Sequence, residues 1–209
     1  MKTLFFIFHG VCHQMSDRAL SCDVFSMPLC SRCAGLYTGF FLALGPFLFL
    51  AMKKNYSFAR AFAVPAIATA LVWAADGIAN FLTLYDTPNF LRFASGLFFA
   101  LCLSPVIASL FADSLAQSPP ETHRTAMFGA VFFTALALAA ANYRPPAALL
   151  IAESFASAAG LLMLLVLAHA AILVLIFTRR HLGLAVAVAF VTATAQVAAL
   201  SMLRNLLGV

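Results

Sequence analysis

Charge is what this sequence has least of: 9% of its 209 residues are charged, whereas 64% are hydrophobic. Soluble globular domains carry about 25% charged and roughly 45–50% apolar residues. The composition, with a mean hydropathy of +1.02, therefore excludes a soluble protein and indicates an integral membrane protein in a lipid bilayer. The twelve Lys and Arg residues occur singly or in pairs, which argues against a nucleic-acid partner because such proteins cluster their basic residues on one face.

Long polar segments are also missing. The longest polar loop covers residues 113–125, so we expect no extramembrane domain of any size. Ten-residue stretches of alternating polarity, typical of a transmembrane barrel, are absent, and so is a convincing internal repeat. The first apolar run, residues 3–8, is shorter than the roughly 7–15 residues that a signal peptide needs. We therefore expect this start to be retained and to lie at the membrane interface.

Six apolar stretches approach the ~20 residues that cross a bilayer as a helix. They cover approximately residues 35–52, 58–84, 90–111, 126–141, 147–177 and 182–203. The pattern predicts an all-α fold, a polytopic helical membrane bundle of about six transmembrane helices. We expect residues 1–34 to form an amino-terminal interfacial Cys/His segment at the membrane face, and residues 35–209 to form the bundle, in a single domain overall.

Orientation in the membrane depends on the basic residues near the helix ends, which favour the cytoplasm. Their total is equal at the two ends of the predicted bundle. The pairs Lys53-Lys54 and Arg179-Arg180 lie in short loops at one end, and we place those loops in the cytoplasm. The Cys/His segment and both termini are then expected on the outer face.

Soft metal ligands are concentrated near the start of the chain. Cys30 and Cys33 form a Cys-x-x-Cys pair where the first predicted span begins, and Cys12-His13 lies upstream. Such a pair brings two sulfurs within reach of one tetrahedral ion, and one more Cys and one His complete the four ligands that zinc prefers. We predict a zinc site formed by Cys12, His13, Cys30 and Cys33, with His9 as the alternative imidazole. The positive end of the first helix dipole would stabilise the thiolates.

Two other uses of the cysteines stay open. In one, Cys30 and Cys33 form a reversible disulfide that exchanges with Cys12 or Cys22, as expected of a quinone-linked thiol-disulfide oxidoreductase. In the other, the cysteines form structural disulfides in an oxidising compartment. The neighbouring imidazole favours the metal, because disulfides do not need one. Zinc is the expected ion, with copper or iron as alternatives; two nearby methionines would suit copper(I).

Ionisable groups within membrane spans are costly and are functional candidates by default. Asp76 and Asn80 share one face of the second predicted helix, and Arg92 enters the third from the same end of the bundle. We expect a polar pocket beneath the cysteines, with Asp76 and Arg92 as candidate catalytic residues and Asn80, Asn89 and Arg32 as candidate substrate-binding residues. The alternative is that Asp76 and Arg92 form a structural ion pair across the intervening turn.

Such a pocket could bind an anionic lipid headgroup or a phosphate-bearing small molecule, because arginine binds phosphate through two parallel hydrogen bonds. A different function is also compatible with the sequence, a small-molecule or ion transporter with Asp76, Glu153 and His169 along its path. Whether the protein is an enzyme and which oligomer it forms are left open by the sequence.

Several motifs in the first half of the chain occur together. They are Cys12-His13-Gln14, Arg18, Pro28-Leu-Cys30-Ser-Arg32-Cys33-Ala-Gly35-Leu-Tyr37-Thr-Gly39, Asp76-Gly77 and Asn89-Phe-Leu-Arg92-Phe-Ala-Ser-Gly96. This set resembles a prokaryotic family of integral membrane proteins, domain of unknown function 2085. The resemblance implies the prokaryotic inner membrane and no particular activity. Cys22 is outside the family pattern, which leaves three cysteines and a histidine and suits a metal better than paired disulfides. Gly35 and Gly39, four residues apart, would permit close helix approach.

Overall fold

The six predicted membrane helices are present in the computed structural model, which describes residues 2–12, 14, 16–54, 56–111, 120–177 and 182–207. In chain order the elements are α1 (Lys2–His9), a 3-10 turn (Ser16–Arg18), β1 (Ala19–Cys22), β2 (Phe25–Cys30), α2 (Ser31–Lys54), α3 (Ala59–Phe81), α4 (Asn89–Ser109), α5 (Glu121–Ala141), α6 (Ala147–Phe177) and α7 (Leu182–Leu207). Helices α2 to α7 are each long and apolar enough to cross a membrane. The predicted all-α membrane bundle is therefore confirmed. The predicted cytoplasmic pair Arg179-Arg180 lies outside the described residues.

Proline marks the start of three of these helices. Pro88, Pro120 and Pro146 each stand immediately before the first residue of α4, α5 and α6. Proline suits this position because its fixed φ fits the helix start and its missing N–H is not needed there. The prolines therefore fix where each of these helices begins. Because the spans alternate in direction, α4 and α6 start at the end of the bundle where α2 also begins.

A β-hairpin in the amino-terminal segment is a feature that the sequence analysis missed. Strands β1 and β2 are antiparallel, with Ala19 opposite Cys30 and Cys22 opposite Phe25, and the pairing is irregular between Ala19 and Ser21. The strands are only four and six residues long and do not alternate regularly in polarity. Strand β2 continues directly into α2, so Cys30 ends a strand while Cys33 lies in the first turn of a helix.

Helix α2 packs very closely against α4 and α6 through glycines. A Cβ atom added at Gly35 would overlap the carbonyl oxygen of Phe93 in α4, and one at Gly39 would lie 2.7 Å from the Cβ of Ala100. A Cβ at Gly96 would overlap the carbonyl oxygen of Arg32. The close approach predicted at Gly35 and Gly39 is therefore confirmed, and it brings the first turn of α2 against the first half of α4.

Candidate metal centre and the adjoining arginine cavity

Three cysteines from three different elements converge at the start of α2. The sulfur atoms of Cys12, Cys30 and Cys33 all lie within 4.8 Å of one another, and the backbone N–H of Cys30 donates to the Cys12 sulfur at 3.3 Å. Thiolates around tetrahedral zinc, with Zn–S bonds of about 2.3 Å, are about 3.8 Å apart. The upper limit of 4.8 Å on the observed separations is compatible with that value, so the three sulfurs could hold a metal ion.

The thiols of the cysteine cluster differ in pKa. The thiols of Cys30 and Cys33 donate towards the Cys12 sulfur and lower the pKa of Cys12 to about 2. The same hydrogen bond between Cys12 and Cys30 raises the pKa of Cys30. Negative charge therefore forms first on Cys12, and a second thiolate beside it needs a compensating cation.

The predicted histidine ligand, His13, lies outside the described residues. The alternative ligand, His9, points to a different partner, because its Nδ1 lies 3.3 Å from the Oε1 of Gln14. Cys22 is paired with Phe25 at the turn end of the hairpin, about 10 Å along the strand from the Cys30 end, and it is not part of the sulfur group. All five cysteines are free thiols.

Two side chains hold the loop that carries Cys12. The Nε2 of Gln14 donates to the carbonyl oxygens of Phe5 (2.8 Å) and Pro28 (3.0 Å), which joins α1 to β2. Arg204, near the end of α7, donates through Nη1 to the carbonyl oxygens of His9 (2.6 Å) and Cys12 (2.7 Å). Sequence reasoning missed this role of Arg204, because nothing local links it to a residue 192 positions away.

A cavity of about 180 Å³ adjoins the cysteine cluster. It is lined by Val11, Cys12, Arg18, Cys30, Arg32, Cys33, Asn80 and Arg92. The predicted binding residues Asn80 and Arg32 and the predicted catalytic residue Arg92 thus share one cavity with the cysteines. Arg18, which the sequence analysis did not assign to the pocket, is a third arginine on its wall.

Asp76 forms an ion pair with Arg32. The alternative prediction, an ion pair between Asp76 and Arg92, is therefore wrong. Arg32, on the first turn of α2, reaches Asp76 on α3. Gly77 leaves room for it, since a Cβ there would lie 3.4 Å from Arg32 Nη1. Arg92 instead donates from Nη2 to Asn80 Oδ1 at 2.7 Å and to Asp86 Oδ1 at 2.5 Å.

The carboxylate of Asp76 is saturated with donors. Its Oδ1 accepts from the hydroxyls of Thr87 (2.5 Å) and Tyr85 (3.0 Å) and from Asn80 Nδ2 (3.1 Å), while Oδ2 accepts from Arg32. This network ties the start of α2 to the end of α3. Asp76 thus holds Arg32 and Asn80, which line the cavity, but it does not line the cavity itself.

Asn89 lies beside the cavity and holds the hairpin. Its Nδ2 donates to the carbonyl oxygens of Asp17 (3.1 Å) and Ala19 (3.0 Å), and its Oδ1 accepts from Arg92 Nη1 at 3.2 Å. Its side chain is thereby committed to positioning β1 and Arg92. The structure brings Asn89 to the predicted region, but as a support for the cavity wall.

Arg18 and Arg92 give the cavity wall a positive character because their acidic partners are exposed, whereas the charge of Arg32 is compensated by the buried carboxylate of Asp76. The side chain of Asp86, paired with Arg92, is 93% exposed, and that of Asp17, which lies 3.7 Å from Arg18, is 69% exposed. Water screens such exposed charges. In addition, the Nε of Arg32 is buried and has no hydrogen-bond partner among the described residues. An unpaired buried donor is costly, and it marks a position where an acceptor atom would be favourable.

Residues 12–105 match the family model described as "Predicted membrane protein (DUF2085)", which confirms the resemblance predicted from the motifs. An uncharacterized protein of Methanocaldococcus jannaschii is 30% identical over 93 residues, which are 44% of this chain and 58% of that protein. An uncharacterized protein of Methanothermobacter thermautotrophicus is 28% identical over 90 residues, 43% of this chain and 78% of that protein. No solved structure matches the chain.

The segment that matches the family model covers nearly all of the candidate site. It begins at Cys12 and ends within α4, so it contains the three clustered cysteines, the hairpin and every residue that lines the arginine cavity except Val11. Helices α5 to α7 lie beyond it, and with them Arg204. The protein is an integral membrane protein, and the segment that matches the family model carries the candidate site.

Proposed function

We propose that the protein uses a zinc ion, bound by Cys12, Cys30 and Cys33, to organise a cationic cavity at one membrane face that binds a phosphate-bearing group. The observation that carries this proposal is the convergence of the three sulfurs within 4.8 Å of one another on the wall of a cavity that also holds three arginines. The predicted fourth ligand, His13, remains part of the proposal.

The metal part is supported by the origin of the ligands. The loop after α1, strand β2 and helix α2 each supply one sulfur, and a hairpin with strands of four and six residues has little core of its own. Small elements of this kind gain most from a bound metal, because the binding free energy adds to the free energy of folding. Zinc fits better than a hard cation because thiolates are soft ligands.

The anion part is supported by the arginines. Arginine binds phosphate with two parallel, charge-assisted hydrogen bonds, and Arg18, Arg32 and Arg92 approach one cavity from the 3-10 turn, α2 and α4. The unpartnered Nε of Arg32 supplies a free donor. The ligand is either the headgroup of an anionic lipid or a free phosphate compound, and both share this chemistry.

That the cavity opens on the outer face of the prokaryotic inner membrane stays a prediction from the paired lysines Lys53-Lys54 at the opposite end of α2. Reaction of the Cys22 thiol with a membrane-impermeant maleimide in intact cells would support it. Protection of Cys22 in intact cells, with reaction after lysis, would reverse the orientation.

Zinc analysis tests the metal centre. We expect about one zinc ion per chain in protein purified in detergent, and almost none after the double substitution Cys30→Ser and Cys33→Ser, because two of the ligands are lost. Elemental analysis measures the content. The matched control is Cys22→Ser with Cys102→Ser, which removes two thiols outside the cluster and should keep the zinc.

Wild-type protein provides a second measurement should the double variant fail to fold. A strong chelator is expected to lower its melting temperature, and added zinc to restore it. Protein that contains no metal and shows a disulfide among Cys12, Cys30 and Cys33 by mass spectrometry would overturn the proposal and favour the thiol-disulfide oxidoreductase.

Phosphate binding tests the cavity. We expect inorganic phosphate to raise the melting temperature of the wild type, and Arg18→Gln to weaken this binding roughly tenfold or more, since a charge-assisted hydrogen bond is worth about 1.5–3 kcal/mol. The control is Arg144→Gln, at the same end of the bundle but outside the cavity wall.

The lipid source is tested in nanodiscs. Stabilisation by phosphatidylglycerol over phosphatidylcholine that depends on Arg18, without an effect of inorganic phosphate, would assign the cavity to a lipid headgroup. Equal responses of the wild type and Arg18→Gln to both ligands would refute the anion site.

A further inference from the structure

Glu153 and Asn142 form a buried polar pair at the junction of α5 and α6, outside the segment that matches the family model. Glu153 is 3% exposed and Asn142 is 1% exposed. Asn142 Nδ2 donates to Glu153 Oε1 at 2.7 Å and to the carbonyl oxygen of Leu138 at 3.0 Å. Glu153 is the seventh residue of α6, so it lies about 9 Å along the helix from its start.

Two acceptor atoms of this pair are left without a partner. They are Glu153 Oε2 and Asn142 Oδ1, both buried and both without a hydrogen bond among the described residues. Rotating the Asn142 amide by 180° does not give these two atoms suitable partners. It would place an oxygen against Glu153 Oε1 and the Leu138 carbonyl oxygen, so three acceptors would meet in place of two hydrogen bonds.

Three arginines on or beside the elements around α6 are engaged elsewhere. On α2, Arg32 is paired with Asp76; on α7, Arg204 donates to two carbonyl oxygens near Cys12. Arg144, in the turn before α6, lies over the ring of Tyr143. The other titratable groups described on these neighbours include His9 on α1, Cys22 on β1, Cys30 on β2, and Cys33 and Tyr37 on α2. Lys53 and Lys54 lie at the opposite end of α2 from the start of α6. None of these groups forms an ion pair with Glu153 in the described part of the chain.

We propose that Glu153 and Asn142 form a buried proton-binding site, in which Glu153 Oε2 carries the proton and donates it to Asn142 Oδ1. One proton then satisfies both orphaned atoms, and the acid and the amide join through two antiparallel hydrogen bonds. An uncharged acid also avoids the cost of an unpaired carboxylate inside the membrane. The ligand of this site is H⁺.

The bound proton holds the end of α5 and the start of α6 together. Asn142 caps the carboxyl end of α5, immediately after Ala141, and Glu153 is on the first two turns of α6, so the paired side chains close the turn between the helices. Loss of the proton would leave a carboxylate facing an amide oxygen, and the repulsion would favour opening of this turn. The junction lies at the same end of the bundle as the cysteine cluster, because α2 and α6 both begin there.

Infrared spectroscopy of the protein in detergent tests the site directly. At neutral pH the wild type should show the carbonyl stretch of a protonated carboxylic acid, shifted in heavy water, and Glu153→Gln should lack it. Asn142→Leu should keep the band but move it to higher frequency, because the carbonyl group loses the Nδ2 donor. The matched control is Glu121→Gln, which changes the other glutamate, an exposed one, and should leave the band unaltered.

Thermal stability gives the second measurement. Glu153→Gln should melt within a few degrees of the wild type, because glutamine reproduces the donor and acceptor of the protonated acid. Absence of the acid band in the wild type would overturn the proposal. So would stabilisation by sodium or potassium ions in the wild type that Glu153→Gln lacks, since it would assign the two orphaned oxygens to a metal cation.

Discussion

Replacing Asp76 by asparagine is expected to lower the free energy of unfolding by about 3 kcal/mol or more, the cost of leaving one partner of a buried ion pair alone. The substitution is nearly isosteric, so the loss would come from hydrogen bonding. Asp76 accepts from four donors, and asparagine replaces one acceptor atom with an NH₂ group. Whichever way the amide turns, its NH₂ group faces a donor that cannot accept, which is Arg32 in one orientation and Asn80 Nδ2 in the other.

Denaturation in detergent, followed by circular dichroism or by thiol accessibility, measures this loss. The control is Asp23→Asn in the exposed turn of the hairpin, which should change stability by less than about 0.5 kcal/mol. A further variant, Arg32→Leu with Asp76→Leu, should recover part of the loss, because it removes both charges together. An Asp76→Asn protein as stable as the wild type would contradict the network, and if it had also lost an ion-uptake activity, it would favour the transporter.

Alanine at Gly96 is expected to destabilise the protein by about 3 kcal/mol, at the upper end of the usual cost of overpacking. Its Cβ would overlap the carbonyl oxygen of Arg32. Backbone cannot rotate away as a side chain can, so α2 and α4 would have to separate. Because Arg32 precedes Cys33 by one residue, we also expect the cysteine cluster to loosen and zinc to be removed by a lower chelator concentration.

The matched control is Gly129→Ala in α5, where nothing lies within 4 Å of an added Cβ. Alanine favours a helix over glycine by about 1 kcal/mol, so this variant should be as stable as the wild type or more so. Equal stability of the Gly96 and Gly129 variants would show that α2 and α4 are not in backbone contact at Gly96.

Part of the site could be predicted from the sequence. This was possible because its chemistry is carried by residue types that are rare in this chain. Cys12, Cys30 and Cys33 stand out in an apolar sequence, and their motif spacing matched a family. Asn80 and Arg92 were found because polar groups inside membrane spans are conspicuous. Arg18 was not assigned to the cavity, because a basic residue in a polar segment is unremarkable until the segment folds back over α2.

Ion-pair partners were harder to predict than the residues themselves. Proximity along the chain favours Arg92 for Asp76, since a short turn separates them. Arg32, 44 residues from Asp76, takes its place because α2 and α3 meet near Gly77. The hairpin was missed for a related reason: its strands are too short to show a period, and its pairing is stabilised by contacts with α4 through Asn89.

The sequence by itself determined the membrane bundle, its six spans and the cysteines worth attention, because burial in lipid demands long apolar stretches and because thiol chemistry belongs to cysteine wherever it is. Only the tertiary structure decided which groups meet. Arg204 against the Cys12 carbonyl, Arg32 against Asp76 and Glu153 against Asn142 depend on how the helices cross, and the glycines that set the crossing of α2 and α4 act through missing atoms rather than through any chemistry of their own.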